Sequence, residues 1–246
     1  MSGHSKWSTI KRKKGAKDAA RGKLFAKLAK AIEVAAREGG GDPVANATLS
    51  QAIDKAKAAS MPNDNIDRAI KRGTGEGDGA VYEEIWYEGY APGGVALYIQ
   101  VLTDNRNRAA SDVRSTLTRN GGSLGEPGSV GYLFEPRAYF LVAGEEDEVM
   151  LAALEGGAED VAPSDGLWEI TASPSDFTAV RDALRAAGLE IDTADLTQIP
   201  ISTVPVTEKS APAVLRVVDL LEDLDDVQSV FANFDISDEV LAAAAG

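Results

Sequence analysis

The chain has 246 residues, 44% of them hydrophobic and 26% charged, with 25 Lys+Arg against 39 Asp+Glu and no cysteine. That length allows two or three domains with proper cores, while the missing cysteine excludes disulfides, thiolate metal sites and cysteine nucleophiles. No apolar run reaches the roughly 18 residues that cross a bilayer, and the opening residues lack the apolar centre of a secretory signal, so a soluble cytoplasmic protein without a membrane partner is expected.

Charge is sorted along the chain. The first 72 residues carry 16 cations and 7 acids, a net +9, which leaves 9 cations and 32 acids beyond, a net −23. The cations concentrate at the start: Lys6, Lys11, Arg12, Lys13, Lys14, Lys17, Arg21, Lys23, Lys27 and Lys30 face a single acid, Asp18, with Trp7 and Phe25 among them. Such segregation predicts a basic module that docks on phosphate, carried by acidic domains.

Residues 1–16 are polar and weakly periodic and read as an arm. A helical period takes over across 17–38, placing Leu24, Leu28, Ala31, Ile32 and Ala35 on one face and Lys23, Lys27, Lys30 and Arg37 on another. One face is expected to pack and the other to stay charged, and Gly39-Gly40-Gly41 ends the helix. Asp42-Pro43 predicts a second helix, with the carboxylate as N-cap and Ala45, Leu49, Ala52, Ile53 and Ala56 inward, running to about Ser60. Met61-Pro62 breaks it. A short helix follows with Ile66 and Ile70 inward and closes at Gly73. The alternating glycines of 73–79 read as a hinge; a phosphate loop would need a Gly-Lys-Ser/Thr that is not there.

Beyond the hinge the period shortens towards two. Strands are predicted over 84–90 and 95–103 across a turn at 91–94, then a helix capped by Asp104 or Asn105 and ending at Arg119, then a strand over 130–135. Residues 138–143, 146–155, 158–161, 167–171, 174–187 and 191–201 read strand, helix, strand, strand, helix, strand, the split βαβ arrangement that closes a sheet with two helices on one face. A helix over 211–224 and a strand over 227–234 are then left to complete the earlier, helix-poor segment. The fold class is therefore α+β in three domains: a helical domain (1–75) and two α/β sandwiches of ferredoxin-like strand-helix order. One sandwich is discontinuous (76–134 and 206–246) and the other (135–205) is inserted in it.

Particular residues resemble a known family. Met1 to Trp7, Ile10-Lys11, Arg21-Gly22-Lys23, Met61-Pro62-Asn63-Asp64-Asn65-Ile66, Tyr87-Glu88-Gly89-Tyr90-Ala91-Pro92-Gly93-Gly94, Thr103-Asp104-Asn105-Arg106-Asn107-Arg108 and Gly128-Ser129-Val130 are similar to motifs of the YebC/PmpR family. Its mitochondrial relative is a translational activator of cytochrome c oxidase subunit I. Ala109 departs from the pattern, where a threonine is usual. The resemblance implies a three-domain α+β protein of the cytoplasm that is not an enzyme, usually described as a DNA-binding transcriptional regulator. Some members resemble ribosome-associated translation factors that bind rRNA or tRNA and ribosomal proteins and help synthesis through proline stretches.

Site expectations follow from residue chemistry. The ten cations and Trp7 form the candidate nucleic-acid surface, with Trp7 either stacking on a base or pinning the arm. Lysine outnumbers arginine among them, and lysine lacks the fork that reads guanine, so backbone contact is expected over base readout. Met61, Pro62, Asn63, Asp64 and Asn65 are either a helix break with its cap or a partner contact. Arg106 and Arg108 at a helix start either bind an anion or pair with nearby carboxylates. His4 stands alone, so no metal site, cofactor or catalytic triad is expected. The later acids, including Asp223, Asp225 and Asp226, read as solvated faces that receive basic ribosomal proteins or hold the basic arm.

Overall fold

The computed structural model describes residues 18–75, 81–164, 166–237 and 239–240. The chain divides into two compact units, 133–202 and the remainder on either side of it. The fold is mixed helix and sheet, α+β.

The larger unit begins with three helices, α1 (Asp18–Gly39), α2 (Ala47–Ala58) and α3 (Asn63–Gly73). They share a core of Ile32, Ala35 and Ala36 from α1, Leu49, Ile53 and Ala56 from α2, and Met61, Ile66 and Ala69. The start of α2 differs from the sequence expectation. Asp42 instead closes a turn, its Oδ1 accepting from Val44 N at 2.9 Å, and the N-cap is Asn46, whose Oδ1 accepts from Leu49 N at 3.0 Å. Asn46 wins because its Nδ2 also donates to Ala35 O and Gly40 O, capping α2 and tying off the end of α1 with one buried side chain.

Strands β1 (Glu83–Ala91) and β2 (Val95–Thr103) form an antiparallel hairpin, followed by α4 (Arg106–Arg119) and the short β3 (Ser123–Leu124). Chain order is then interrupted by the smaller unit, which contains β4 (Phe134–Ala143), α5 (Glu146–Glu155), β5 (Asp160–Ser164), β6 (Leu167–Ala172), α6 (Phe177–Ala186) and β7 (Glu190–Pro200). Its sheet order is β5-β6-β4-β7, all pairs antiparallel, around a core that includes Phe140, Val149, Ile170, Phe177 and Leu184. The two strands expected at 130–135 and 138–143 are one: residues 131–133 form a 3-10 turn, and β4 runs unbroken through Pro136. Proline is tolerated because β6 pairs only from Ala138 onward, so Pro136 has a single neighbour strand, β7, and its missing N–H breaks no ladder on the other side.

After β8 (Val204–Pro205) the chain supplies α7 (Ala211–Glu222), β9 (Val227–Ala232) and β10 (Phe234–Asp235), which pairs with β8. Strand β9 joins β2, giving a sheet of order β3-β1-β2-β9. Helices α4 and α7 share its core: Leu97, Ile99 and Val101 of β2 pack with Val113 and Leu117 of α4 and with Val214, Val218 and Leu221 of α7. The spacing of 109, 113 and 117, one helical face, is what turns the opposite side of α4 outward.

Candidate nucleic-acid interface

The proposed phosphate-binding residues fall into two groups. Lys6, Trp7, Lys11, Arg12, Lys13, Lys14 and Lys17 lie outside the described residues. Arg21, Lys23, Lys27 and Lys30 lie on α1. Arg21 is exposed, its guanidinium 5.4 Å from the Phe25 ring centroid.

The three lysines do not form a free charged face: Lys23, though exposed, reaches the turn after α7 as the half-buried Lys27 and Lys30 do. Lys23 Nζ donates to Asp223 O at 3.3 Å, Lys27 Nζ to Glu222 O, and Lys30 Nζ to Leu102 O at 3.3 Å, Asp225 O at 3.2 Å and Asp226 Oδ1 at 2.8 Å. Val34, on the same stripe, is buried. The face expected to remain charged is thus packed on the turn that follows α7, and α1 is covered on two sides. The physical reason lies in the acceptor: the last carbonyls of α7 have no partner within their own helix and sit at the negative end of its dipole, a natural seat for ammonium groups.

Asp226 is the hub of this contact and is buried, not a solvated acid. Its Oδ2 accepts from Thr103 Oγ1 at 2.9 Å and from Arg108 Nη2 at 2.8 Å, while Oδ1 takes Lys30. Burial alone would raise its pKa, but the bonds from Lys30, Arg108 and Thr103 outweigh that and hold it below the ordinary aspartate value. Arg108 also reaches Asp104 Oδ1 at 2.7 Å, and the bonds to Asp226 and Asp104 push the guanidinium pKa up. Arg106 pairs with Glu83 at 3.5 Å. Both arginines are paired with carboxylates in the structure.

The 61–65 motif divides. Met61 is buried in the helical core and is no surface contact. Pro62 is the N-cap of α3, Asn63 and Asp64 are exposed, and the Asn65 side chain accepts from Arg68.

Two charged sites escaped sequence reading. Glu33, buried in α1, bridges Arg37 at 3.3 Å and Arg72 at 3.1 Å, joining both ends of the three-helix segment. Glu88 of β1 is buried, and its carboxylate accepts from Gly128 N at 2.7 Å, Val130 N at 2.5 Å and Gly131 N at 2.8 Å. Burial pushes Glu88 up, yet the N–H groups of residues 128–131 more than offset it and leave the pKa lowered. The glycine-containing loop therefore binds an anion, but that anion is the protein's own. The available signal was in the sequence: Glu88 shares a strand face with Trp86 and Tyr90, and the segment that follows α4 carries Gly125 and Gly128, suited to backbone N–H groups converging on one point.

Among the described residues no group of three or more His, Asp or Glu is arranged to hold a metal ion, and no helix is long and apolar enough to cross a membrane.

Comparison with known proteins matches residues 5–76 to the TACO1/YebC protein N-terminal domain and residues 82–234 to the TACO1/YebC second and third domain. The chain belongs to the TACO1/YebC family. A family relative from Rubrobacter xylanophilus, named a probable transcriptional regulatory protein, is 60% identical over 250 residues and covers 100% of both chains. Another of the same name from Salinispora tropica is 57% identical over 98% of this chain and 99% of its own. The solved structure of a conserved hypothetical protein from Aquifex aeolicus shares 48% identity with a TM-score of 0.82, covering 91% of this TACO1/YebC chain and 94% of the other.

Proposed function

We propose that this protein is a regulator that acts by binding, not by catalysis: a cytoplasmic transcriptional regulator that grips duplex DNA by its phosphates through the basic N-terminal segment. The observation that carries this reading is the charge split, +9 over the first 72 residues against −23 beyond. Relatives named probable transcriptional regulatory proteins support the regulatory part. Because Lys23, Lys27 and Lys30 are engaged within the protein, the grip falls to Arg21 and the cations before it.

The test is a salt series of DNA affinity with two variants. Replacing Lys11, Arg12, Lys13 and Lys14 by glutamine lowers the slope of log K against log salt by about 3.6, the loss of four phosphate contacts on duplex DNA. Replacing Lys23 and Lys27 leaves the slope as it was. Unchanged affinity in the first variant at low salt overturns the proposal.

A second reading is favoured by one observation: eight of the ten early cations are lysines, which suit backbone contact without base readout. On this reading the protein is a translation factor on rRNA or tRNA, with basic ribosomal proteins against its acidic surface. Co-sedimentation with ribosomes that RNase abolishes supports it; free migration at the top of the gradient removes it.

A further inference from the structure

Of the 9 cations beyond Arg72, four sit on α4: Arg106, Arg108, Arg114 and Arg119, with Asp112 the one acid of that helix. The first two are paired with Glu83, Asp104 and Asp226. Arg114 and Arg119 differ. Both are exposed, and among the described residues neither lies within ion-pair distance of a carboxylate. In a part of the chain where acids outnumber bases 32 to 9, two such arginines on one helix face form a local basic patch.

The helix period explains their placement. With Ala109, Val113 and Leu117 in the core, Asn107, Ser111, Arg114 and Thr118 recur at intervals of four, three and four along the outer side, flanked by Ser115 and Arg119. These six line a groove of about 600 Å³. Every one of them can donate a hydrogen bond and none is acidic. Asp112 is turned away, lining a separate depression with Arg108 and Asp223. The two arginines are five residues apart, about 7.5 Å of helix rise.

We propose that the outer face of α4 is a second surface for a phosphodiester backbone, separate from the basic N-terminal segment. It rests on the reading that the protein binds nucleic acid, and adds where the acidic body makes its own contact. Donors without an apolar centre fit a phosphate backbone; an acidic protein partner would need buried aromatic or aliphatic anchors, and the groove offers only Ala110. This surface gives the body, otherwise repelled by phosphate, an attachment of its own.

The full chain carrying R114Q/R119Q tests this, measured by anisotropy against a labelled DNA duplex and a labelled single-stranded RNA over a salt series. Thermal unfolding stays at the wild-type value, because among the described residues neither side chain has an ion-pair partner to lose. The slope of log K against log salt falls by about 1.8 on duplex DNA, or about 1.4 on single-stranded RNA, and the polymer that shows the change is the ligand of this face. R114K/R119K keeps the wild-type slope. Wild-type affinity and slope on both polymers in R114Q/R119Q, while the Lys11-to-Lys14 variant is weakened, overturns this surface and leaves the N-terminal reading standing. A wild-type protein that binds neither polymer overturns both. Loss of polyglutamate binding with nucleic-acid binding intact makes the face a protein site and also overturns the proposal.

Discussion

Breaking the Lys30–Asp226 contact should loosen α1 from the sheet unit it packs on, by an amount the structure bounds from both sides. The two side chains are 14% and 11% exposed and 2.8 Å apart, so water screens them little. Lys23 and Asp225 make an instructive contrast: 3.7 Å apart and 57% and 80% exposed, they belong to the class of surface pairs worth about 0–1 kcal/mol. Removing one partner of a fully buried pair costs about 3–5 kcal/mol, because the survivor is stranded. Lys30 is not stranded by Asp226→Asn, since Leu102 O and Asp225 O still accept from it. The share of the loss that belongs to Lys30 is therefore one charge-assisted hydrogen bond, about 2 kcal/mol, separate from what Arg108 and Thr103 lose at Oδ2. A double-mutant cycle of Asp226→Asn and Lys30→Met isolates the pair, with methionine keeping the aliphatic stem. Native-state hydrogen exchange of α1 amides is the better readout, because a chain of two units need not unfold in one step. A coupling below about 0.5 kcal/mol would refute the assignment of Asp226 as the hub. Acid gives an independent check. The folded pKa of Asp226 is depressed, so its contribution is complete above the unfolded value of about 3.9 and disappears as pH falls from there through the folded value.

Two further outcomes follow from single side chains. Glu88→Gln replaces one acceptor oxygen by a donor opposite backbone N–H groups, costing about 2 kcal/mol and raising hydrogen exchange at residues 128–131. In the wild type, protection there is lost only as pH drops below the usual glutamate value of about 4.3, because the folded pKa is lowered; protection unchanged by the substitution would remove Glu88 from that role. Gly73→Ala places a Cβ 2.4 Å from Glu33 O and 2.7 Å from Ala36 Cβ, where backbone cannot yield easily. It should lower the stability of the three-helix segment by about 1–3 kcal/mol in urea unfolding followed by helical signal, and a wild-type midpoint would show that α1 and α3 do not approach so closely.

Local chemistry made the fold class readable and long-range pairing hid much of the site. The period of α1 placed Ile32 and Ala35 inward, β2 spans the expected 95–103, and Asn105 caps α4 through Arg108 N at 3.0 Å. Where the reading failed, a residue distant in sequence had intervened. Asp42-Pro43 is a sound helix start locally, but Asn46 reaches back to Ala35 and Gly40, which no local pattern contains. The acceptors of the lysine stripe lie about 200 positions away, so helical period could say only that the stripe was polar. Met61 is a helix break in sequence and a core residue in space. Arg114 and Arg119 attracted no notice for the opposite reason: an arginine on an outer helix face is ordinary until its neighbours are seen to hold no acid.

The acidic turn after α7 shows why opposite charge at the two ends of a chain has structural consequences. Glu222, Asp223, Asp225 and Asp226 stand at the C-terminal end of a helix, where the dipole already concentrates negative potential and acids are unfavourable. Left alone, the turn would weaken α7. The stripe of Lys23, Lys27 and Lys30 reverses this by delivering three ammonium groups to the carbonyls of that turn, with Asp226 fixing the last of them. These basic residues thereby join the helical segment to the sheet. The lysine stripe from Lys23 to Lys30 thus fixes the helical segment in place and offsets the acids of the turn after α7.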